Sequence, residues 1–365
     1  MVQLLLRSTE RPKWRWWLLL LAAVVSLSAS RAWSKDAKTQ AVNVPQLELE
    51  GGRRLTFERS FRAEPEVRVK RGFWNKLVDV VAGAPDFHAL ISPYEAVTDS
   101  RGRFIVTDPG AGGIHIFDFD QQKYKFLYRE KEKDGLVTPQ CLTVDSSDNI
   151  YVTDSESGKI FVFESSGKFD RTIGSIKGGE GYFKRPTGIA VDSAAQRIYV
   201  TDTLRNQIFV LDMQGSVLRT IGKTGTGDGE FNYPTELRLV GDSLIVVDAM
   251  NFRVQVLAKD GTFRYAIGRI GDARGQMFRP KGIGMDSEGH LYVVEGIAGL
   301  VQVFDQQGQL LYYFGQRGSG FGEFQLPTGL WIDNKDRVVV VDSYNRRVQV
   351  FRYFGLEKQT GGGGR

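Results

Sequence analysis

The sequence predicts an all-β protein, a six-bladed β-propeller with four-stranded antiparallel blades that an N-terminal strand closes. Three observations lead to this prediction: a repeat of nearly constant length, four strand-like runs in each repeat, and no helical periodicity within the repeats. A period of about 40 to 50 residues is typical of arrays and propellers. The prolines that open the six repeats are 46, 47, 48, 46 and 47 residues apart, and they are Pro93, Pro139, Pro186, Pro234, Pro280 and Pro327.

Each repeat divides into four short strands, as the third repeat illustrates. Its first two runs are almost entirely apolar, which is typical of strands that are covered on both faces. Short turn-forming segments rich in Ser, Gly and Asp separate the runs. The predicted strands of this repeat are Gly188 to Asp192, Ile198 to Asp202, Gln207 to Leu211 and Val217 to Gly222. Radial repetition of such sheets leaves only short, protected edges.

Several motifs of the repeat resemble those of a known family. The stretches PTGIAVD, IYVTD, NRRVQVF and GSGFGEFQLP are similar to NHL repeats, and the resemblance covers roughly residues 85–355 in six in-phase copies. The resemblance implies a six-bladed propeller. It does not imply one activity, because NHL-type propellers include protein-binding, RNA-binding, sensor and lyase members, and one fold carries many functions.

The last repeat lacks a fourth strand, so a strand from elsewhere must close the ring. The stretch GGRRLTFERSF at residues 51–61 resembles the fourth strands of other repeats, and we predict that residues 53–61 close the sixth blade. The alternative is Leu77 to Val81. We prefer the first, because GFWNKLVDVVAG has apolar residues at helical spacing and predicts a short helix within a connecting segment, residues 62–84.

The chain begins with the pattern of a secretory signal peptide. Four basic residues precede a run of about ten apolar residues and then small residues, which predicts a signal peptide at residues 1–32. The protein is therefore expected to be exported, to the periplasm or the extracellular space, with membrane contact only if the segment stays uncleaved. Residues 33–52 are predicted to be an extended linker, and residues 356–365 a flexible tail.

Composition argues against nucleic-acid binding. Without residues 1–32 the chain has 43 basic and 42 acidic residues, a formal net charge of +1, although the full sequence carries +5. Nucleic-acid-binding proteins usually carry a clear basic excess. The only cysteine, Cys141, cannot form an internal disulfide and is expected to be a small buried residue of a first strand. We expect a monomer.

Two sets of residues could suggest a metal site but favour structural roles. An acidic residue ends the second strand of every repeat, where a carboxylate can bond backbone amides of the turn. These residues are Asp108, Asp154, Asp202, Asp248, Glu295 and Asp342. The three histidines, His88, His115 and His290, could ligate zinc, but they occupy different places in the repeat. No catalytic residues are predicted.

Function is expected where a repeat departs from the pattern. The second residue after the proline is small in four repeats, but it is glutamate at Glu95 and Glu236, in blades that face each other across the ring. Both carboxylates are expected near the channel mouth. They could share an ion, with calcium favoured by the oxygen ligands, or each could pair with a basic residue. Lys281 and Arg279 are possible partners and also possible ligand contacts.

The loops between the second and third strands are the other departure. They are expected to crowd one face of the ring with apolar, aromatic and arginine side chains, residue types that are enriched at protein interfaces. Ordinary loop packing between blades is the alternative. The candidate ligand-binding residues on this face are Arg205, Arg253, Tyr344 and Arg346.

We therefore expect an exported, non-enzymatic propeller that binds a protein, peptide or envelope component on its loop face and needs no cofactor. The alternative is a metal-dependent hydrolase or lyase, similar to the lactonases or amidating lyases, with a site at the mouth of the central channel. The two hypotheses differ in what they require. The enzyme needs a bound ion with several oxygen or nitrogen ligands, whereas the binding protein needs only a continuous exposed patch.

Overall fold

The computed structural model, which describes residues 45–67, 87–128, 135–176 and 181–355, is built from six antiparallel sheets. Five sheets contain four strands each, and the order of the strands in the sheet follows their order along the chain. The sixth sheet contains five strands and joins both ends of the repeat array. The predicted six-bladed propeller is confirmed. None of the described helices is long and apolar enough to cross a membrane.

Among the described residues, two strands precede the repeats and 23 lie within them. The preceding strands are β1 (Gln46–Glu48) and β2 (Arg54–Phe61). Blades 1 to 3 contain β3 (Glu95–Thr98), β4 (Phe104–Asp108), β5 (Gly113–Asp118), β6 (Lys123–Tyr128), β7 (Pro139–Val144), β8 (Ile150–Asp154), β9 (Lys159–Phe163), β10 (Phe169–Ile173), β11 (Pro186–Asp192), β12 (Arg197–Asp202), β13 (Gln207–Leu211) and β14 (Val217–Ile221).

The later blades repeat this order, and the described residues also form three single-turn 3-10 helices outside the strands. Blades 4 to 6 contain β15 (Pro234–Val240), β16 (Ser243–Asp248), β17 (Arg253–Ala258), β18 (Phe263–Ile267), β19 (Pro280–Met285), β20 (Leu291–Glu295), β21 (Leu300–Phe304), β22 (Leu310–Phe314), β23 (Leu330–Ile332), β24 (Arg337–Asp342) and β25 (Arg347–Phe354). The 3-10 helices are Glu50–Gly52, Glu64–Glu66 and Ala249–Asn251.

The N-terminal strand closes the ring, as predicted. Strand β2 pairs antiparallel with β25 from Arg54 opposite Phe354 to Phe61 opposite Val348. Strand β1 pairs with the outer edge of β2 and adds a fifth strand that the sequence did not predict, inside the segment expected to be a linker. The alternative closing strand and the predicted helix fall on residues 68–86, which lie outside the described residues.

The first strands carry an irregularity that positions the site. In β7, β11, β15 and β19 the register shifts between the opening proline and the third residue after it. Such a bulge locally interrupts the ladder and can re-aim a side chain. The second residue after the proline lies within this irregularity, and in β7 and β15 it is Cys141 and Glu236. The sequence position that departs from the repeat pattern is therefore also irregular in its backbone.

The strand-end carboxylates hold the segment that enters each blade. Asp202 is fully buried and accepts hydrogen bonds from the amides of Lys184 and Arg185, at 2.8 and 3.0 Å. Asp108 accepts equivalent bonds from Ile91 and Ser92. The amides therefore lie mainly on the segment before the opening proline, and not only in the following turn as the sequence suggested. The structural role expected for these residues agrees with this geometry.

Asp202→Ala is expected to lower the free energy of unfolding by about 2 kcal/mol, because two backbone amides lose a charged, buried acceptor. Chemical denaturation of the purified protein would measure the change. Asp272→Ala is the matched control, because Asp272 lies in an exposed loop. An Asp202→Ala variant as stable as the control would contradict the structural role of this residue.

Candidate functional site

Three buried donor groups from different blades meet at the centre of the ring. Glu95 lies at the start of β3, Cys141 in the bulge of β7 and Glu236 in the bulge of β15. One donor atom of each lies within 4.8 Å of the others, and the three residues are 0%, 0% and 4% exposed. A Cβ on Gly329 of blade 6 would lie 2.8 Å from Glu95 Oε1, so glycine at that position leaves room for the carboxylate.

Arg238, which was not among the predicted site residues, bridges both glutamates. Its Nη2 lies 2.9 Å from Glu95 Oε1 and its Nη1 lies 2.8 Å from Glu236 Oε1. The second contact is an ion pair without good hydrogen-bond geometry, since neither atom has a hydrogen-bond partner within the described structure. Nη2 also donates to the carbonyl of Leu330 at 3.0 Å, and the guanidinium lies 5.2 Å from the Trp331 ring.

Burial governs the protonation of the cluster. It raises the pKa of Glu95 well above its usual value; Arg238 opposes the shift, and nearby Glu236 adds to it. Burial, followed by the two carboxylates, also raises the pKa of the Cys141 thiol well above its usual value. The thiol donates a hydrogen bond to Glu236 Oε2 at 3.2 Å. Cys141 is thus a neutral buried thiol and lacks the electropositive setting of a reactive cysteine.

The two glutamates that the sequence brought forward therefore lie together, and they do not each pair with a basic residue of their own. They lie below the surface of the mouth, and they share one arginine instead of pairing with Lys281 or Arg279. A signal for Arg238 was present in the sequence. At the fourth position after the proline the other repeats carry uncharged residues, and these are Val97, Thr143, Ala190, Gly284 and Trp331.

A cleft of about 830 Å³ opens between blades 1, 5 and 6 on the face that bears the loops. It brings together three cations: Arg279 at the end of the connection from β18 to β19, Lys281 in β19, and Arg346 in the loop between β24 and β25. None of the described residues that line the cleft carries a carboxylate. Within the described part of the chain, no salt bridge engages any of the three cations. Burial, and then the charge of Arg279, lowers the pKa of Lys281.

The rim of this cleft is apolar and exposed. Ile91, Ile297, Leu326 and Tyr344 all line it and are 50%, 38%, 50% and 63% exposed. The cleft floor leads toward the buried cluster, because Tyr94 lines the cleft and directly precedes Glu95. Three residues predicted to bind a ligand, Lys281, Tyr344 and Arg346, thus lie together in one cleft.

The other two arginines predicted for ligand binding hold the loops of their own blades. Arg253 Nε donates to Asp248 at 2.9 Å, and its Nη2 donates to the carbonyls of Gly227 and Glu230. Arg205 Nη2 donates to the carbonyl of Tyr182, and its guanidinium lies 5.0 Å from the Tyr182 ring. Neither residue lines the cleft, and their side chains support the loop face from within.

The three histidines lie in separate environments. His115 is buried, with Nδ1 2.7 Å from the Tyr124 hydroxyl and Nε2 3.4 Å from Asp108. It occupies the strand position that glutamine holds at Gln255, where the amide likewise reaches the strand-end carboxylate, Asp248. His88 is exposed beside Glu64, and His290 bonds Asp286. Among the described residues, the one cluster with metal-ligand spacing contains no histidine.

Family comparisons agree with the repeat analysis. A family described as a 6-bladed beta-propeller matches residues 190–239 and 285–359, and the NHL repeat matches residues 136–163. The resemblance to NHL repeats is confirmed by the match at residues 136–163, and the fold is a six-bladed propeller. No curated protein matches the chain in sequence.

Solved structures of similar fold include both enzymes and binding proteins. Virginiamycin B lyase from Staphylococcus aureus is 16% identical, with a TM-score of 0.52 over 72% of this chain and 94% of the lyase. A gluconolactonase from Xanthomonas campestris is 14% identical, with a TM-score of 0.56 over 84% of this chain and 92% of the gluconolactonase. An auxiliary nutrient binding protein from Bacteroides thetaiotaomicron is 12% identical, with a TM-score of 0.57 over 72% of this chain and 69% of the binding protein. At these identities the likeness concerns the fold alone.

Proposed function

We propose that the protein is an exported, non-enzymatic binding module, and that the cleft between blades 1, 5 and 6 holds an acidic segment of a protein or peptide. The observation that carries this proposal is a cleft in which, among the described residues, three cations have no ion-pair partner and no carboxylate contributes to the lining. Such a set repels itself until an anion enters; burial lowers the pKa of Lys281 most, and the charge of Arg279 lowers it further. Export rests on the signal-like sequence of residues 1–32.

The rim explains why a peptide fits better than a small inorganic anion. Four exposed apolar side chains surround the cations, and a peptide can place apolar side chains on them while its carboxylates reach inward. Arginine and aromatic residues around a desolvated centre are the usual composition of a protein-binding surface. The volume of about 830 Å³ also falls within the range of ligand sites, roughly 300 to 1,000 Å³.

Arg346→Glu is expected to weaken binding of an acidic peptide about tenfold or more. The reason is that the attraction between this side chain and a peptide carboxylate, about 1.4 kcal/mol, becomes a repulsion. Fluorescence anisotropy with a fluorescein-labelled peptide of alternating glutamate and leucine would measure the dissociation constant. Arg279→Glu is expected to act in the same direction, and raising the salt concentration should weaken binding to the wild type.

Lys123→Glu serves as the matched control, because Lys123 is an exposed cation on the outer strand of blade 1 and does not line the cleft. The corresponding peptide of glutamine and leucine tests the need for charge. Equal affinity for the acidic and neutral peptides, or equal loss in the Lys123→Glu and Arg346→Glu variants, would contradict the proposal.

The alternative function, a metal-dependent hydrolase or lyase at the channel mouth, has weaker support. The described histidines do not converge, and the two glutamates lie below the mouth with their Oε1 atoms against Arg238. We therefore prefer the binding function for the cleft. Fold likeness does not separate the two, because the similar structures include both kinds of protein.

A further inference from the structure

The buried cluster contains more hydrogen-bond acceptors than donors. Arg238 contacts Oε1 of both Glu95 and Glu236, and the Cys141 thiol donates to Oε2 of Glu236. Oε2 of Glu95 is buried and has no hydrogen-bond partner in the described structure. Buried polar atoms are nearly always paired, so an orphan carboxylate oxygen inside a cluster of donor groups needs an explanation.

The charges of the cluster are also unbalanced. When both carboxylates are ionised, they and the one guanidinium leave one negative charge in the centre of the ring, where all the groups are at most 4% exposed. A buried charge is costly unless it is paired. A divalent cation together with loss of the thiol proton restores balance, because three anionic donors then face one guanidinium and two metal charges.

We propose that Glu95, Cys141 and Glu236 bind a zinc-type divalent cation, with Arg238 orienting the two carboxylates from behind. The donors would be Oε2 of Glu95, Sγ of Cys141 and Oε2 of Glu236, since Arg238 already holds both Oε1 atoms. Binding breaks the S–H bond and forms a sulfur–metal bond, and the proton leaves to solvent. The proposal stands independently of peptide binding in the cleft.

The three ligand atoms are close enough to reach one metal ion after a small movement of their side chains. Zinc bonds of about 2.0 to 2.3 Å in a tetrahedral arrangement place neighbouring ligand atoms about 3.5 Å apart. Cys141 Sγ and Glu236 Oε2 are already 3.2 Å apart, and Sγ and one carboxylate oxygen from each glutamate all lie within 4.8 Å of one another. The required movement is therefore about 1 Å for the widest pair, within the reach of side-chain rotation.

The thiol determines which metal is expected. Calcium takes six to eight hard oxygen ligands, whereas thiolate together with carboxylate suits zinc and similar borderline ions. Once Cys141 joins the two glutamates, the set no longer favours the calcium that the glutamates alone suggested. Hydrogen bonds from Arg238 would act as outer-sphere support, a role that usually tunes metal affinity.

Cobalt provides a direct test, because Cys141 is the only cysteine of the chain. Metal-stripped full-length protein would be titrated with Co²⁺, and a thiolate-to-cobalt charge-transfer band would report this site alone. We expect the band to saturate at one equivalent and to disappear when Zn²⁺ is added. Zn²⁺ should also raise the melting temperature of the stripped protein.

Two variants complete the test. Cys141→Ser, which is nearly isosteric, should abolish the band, and Glu236→Gln should weaken cobalt binding by about 100-fold or more. Asp242→Asn, at an exposed acid outside the cluster, should leave both readouts unchanged. The absence of the band from folded wild-type protein would overturn the proposal, and it would mean that a shared proton balances the two glutamates. Stoichiometric cobalt without the band would overturn it too, because the ion would then lack the thiolate.

Discussion

Phe61→Ala is expected to lower the free energy of unfolding by about 3 to 5 kcal/mol, the range for removing a fully buried phenylalanine. Phe61 ends the closing strand β2 and is 1% exposed. Its ring lies 5.1, 4.8 and 5.2 Å from the rings of Phe104, Phe117 and Phe119 in blade 1. The residue therefore secures the contact between the last blade and the first, so its loss also loosens the closure of the ring.

Chemical denaturation of the purified variant would measure this change. Phe354→Ala is the matched control, because Phe354 lies at the other end of the same strand pair and is 38% exposed. Deleting residues 45–61 should be more damaging still, since it removes every backbone partner of β25 on that side. Equal stability of Phe61→Ala and Phe354→Ala would show that β2 does not hold the ring closed.

Arg238→Met should destabilise the metal-free protein by about 3 to 5 kcal/mol, because it leaves two buried carboxylates without their shared cation. Glu95 and Glu236 both contact this guanidinium, and each is at most 4% exposed. Their mutual repulsion then acts in a medium that screens charge poorly. The measurement is urea denaturation at neutral pH with a metal chelator present.

A multiple mutant separates charge from packing. Adding Glu95→Gln and Glu236→Gln to Arg238→Met removes all three charges and should recover much of the lost stability. Arg264→Met is the control, since Arg264 pairs with Asp242 at an exposed site, where ion pairs contribute little. If the triple mutant is as unstable as Arg238→Met, then the arginine contributes through packing against Trp331 and not through its charge.

The fold could be predicted from the sequence because the same pattern of strands and turns recurs in every repeat. Six prolines, the strand-end acids and the missing last strand together predicted the blades and their closure by residues 53–61, close to the observed Arg54–Phe61. Strand β1 was not predicted. Its three residues, Gln46–Glu48, carry no pattern of their own, and they are a strand only because β2 offers them an unpaired edge.

The site was only partly predictable for a different reason. Departure from the repeat pattern identified Glu95 and Glu236, but spacing along the chain does not show how far a side chain reaches across the ring. Arg238 lies in blade 4 and contacts Glu95 in blade 1 and Leu330 in blade 6. Such contacts depend on the diameter of the channel. For the same reason, spacing along the chain did not predict that Arg279, Lys281 and Arg346 lie in one cleft.

The closure of the ring also places a condition on biosynthesis. Glu58 of β2 and Arg352 of β25 pair although they are 294 residues apart in sequence. At about 5 to 20 residues per second, a ribosome needs roughly 15 to 60 seconds to deliver the second strand after the first. During this interval the edge of β2 that will pair with β25 has no partner. The first strand that pairs with this edge determines whether the ring closes within one chain. At high concentration that partner can be the β25 of another chain, which would produce strand-exchanged dimers from an otherwise closed ring.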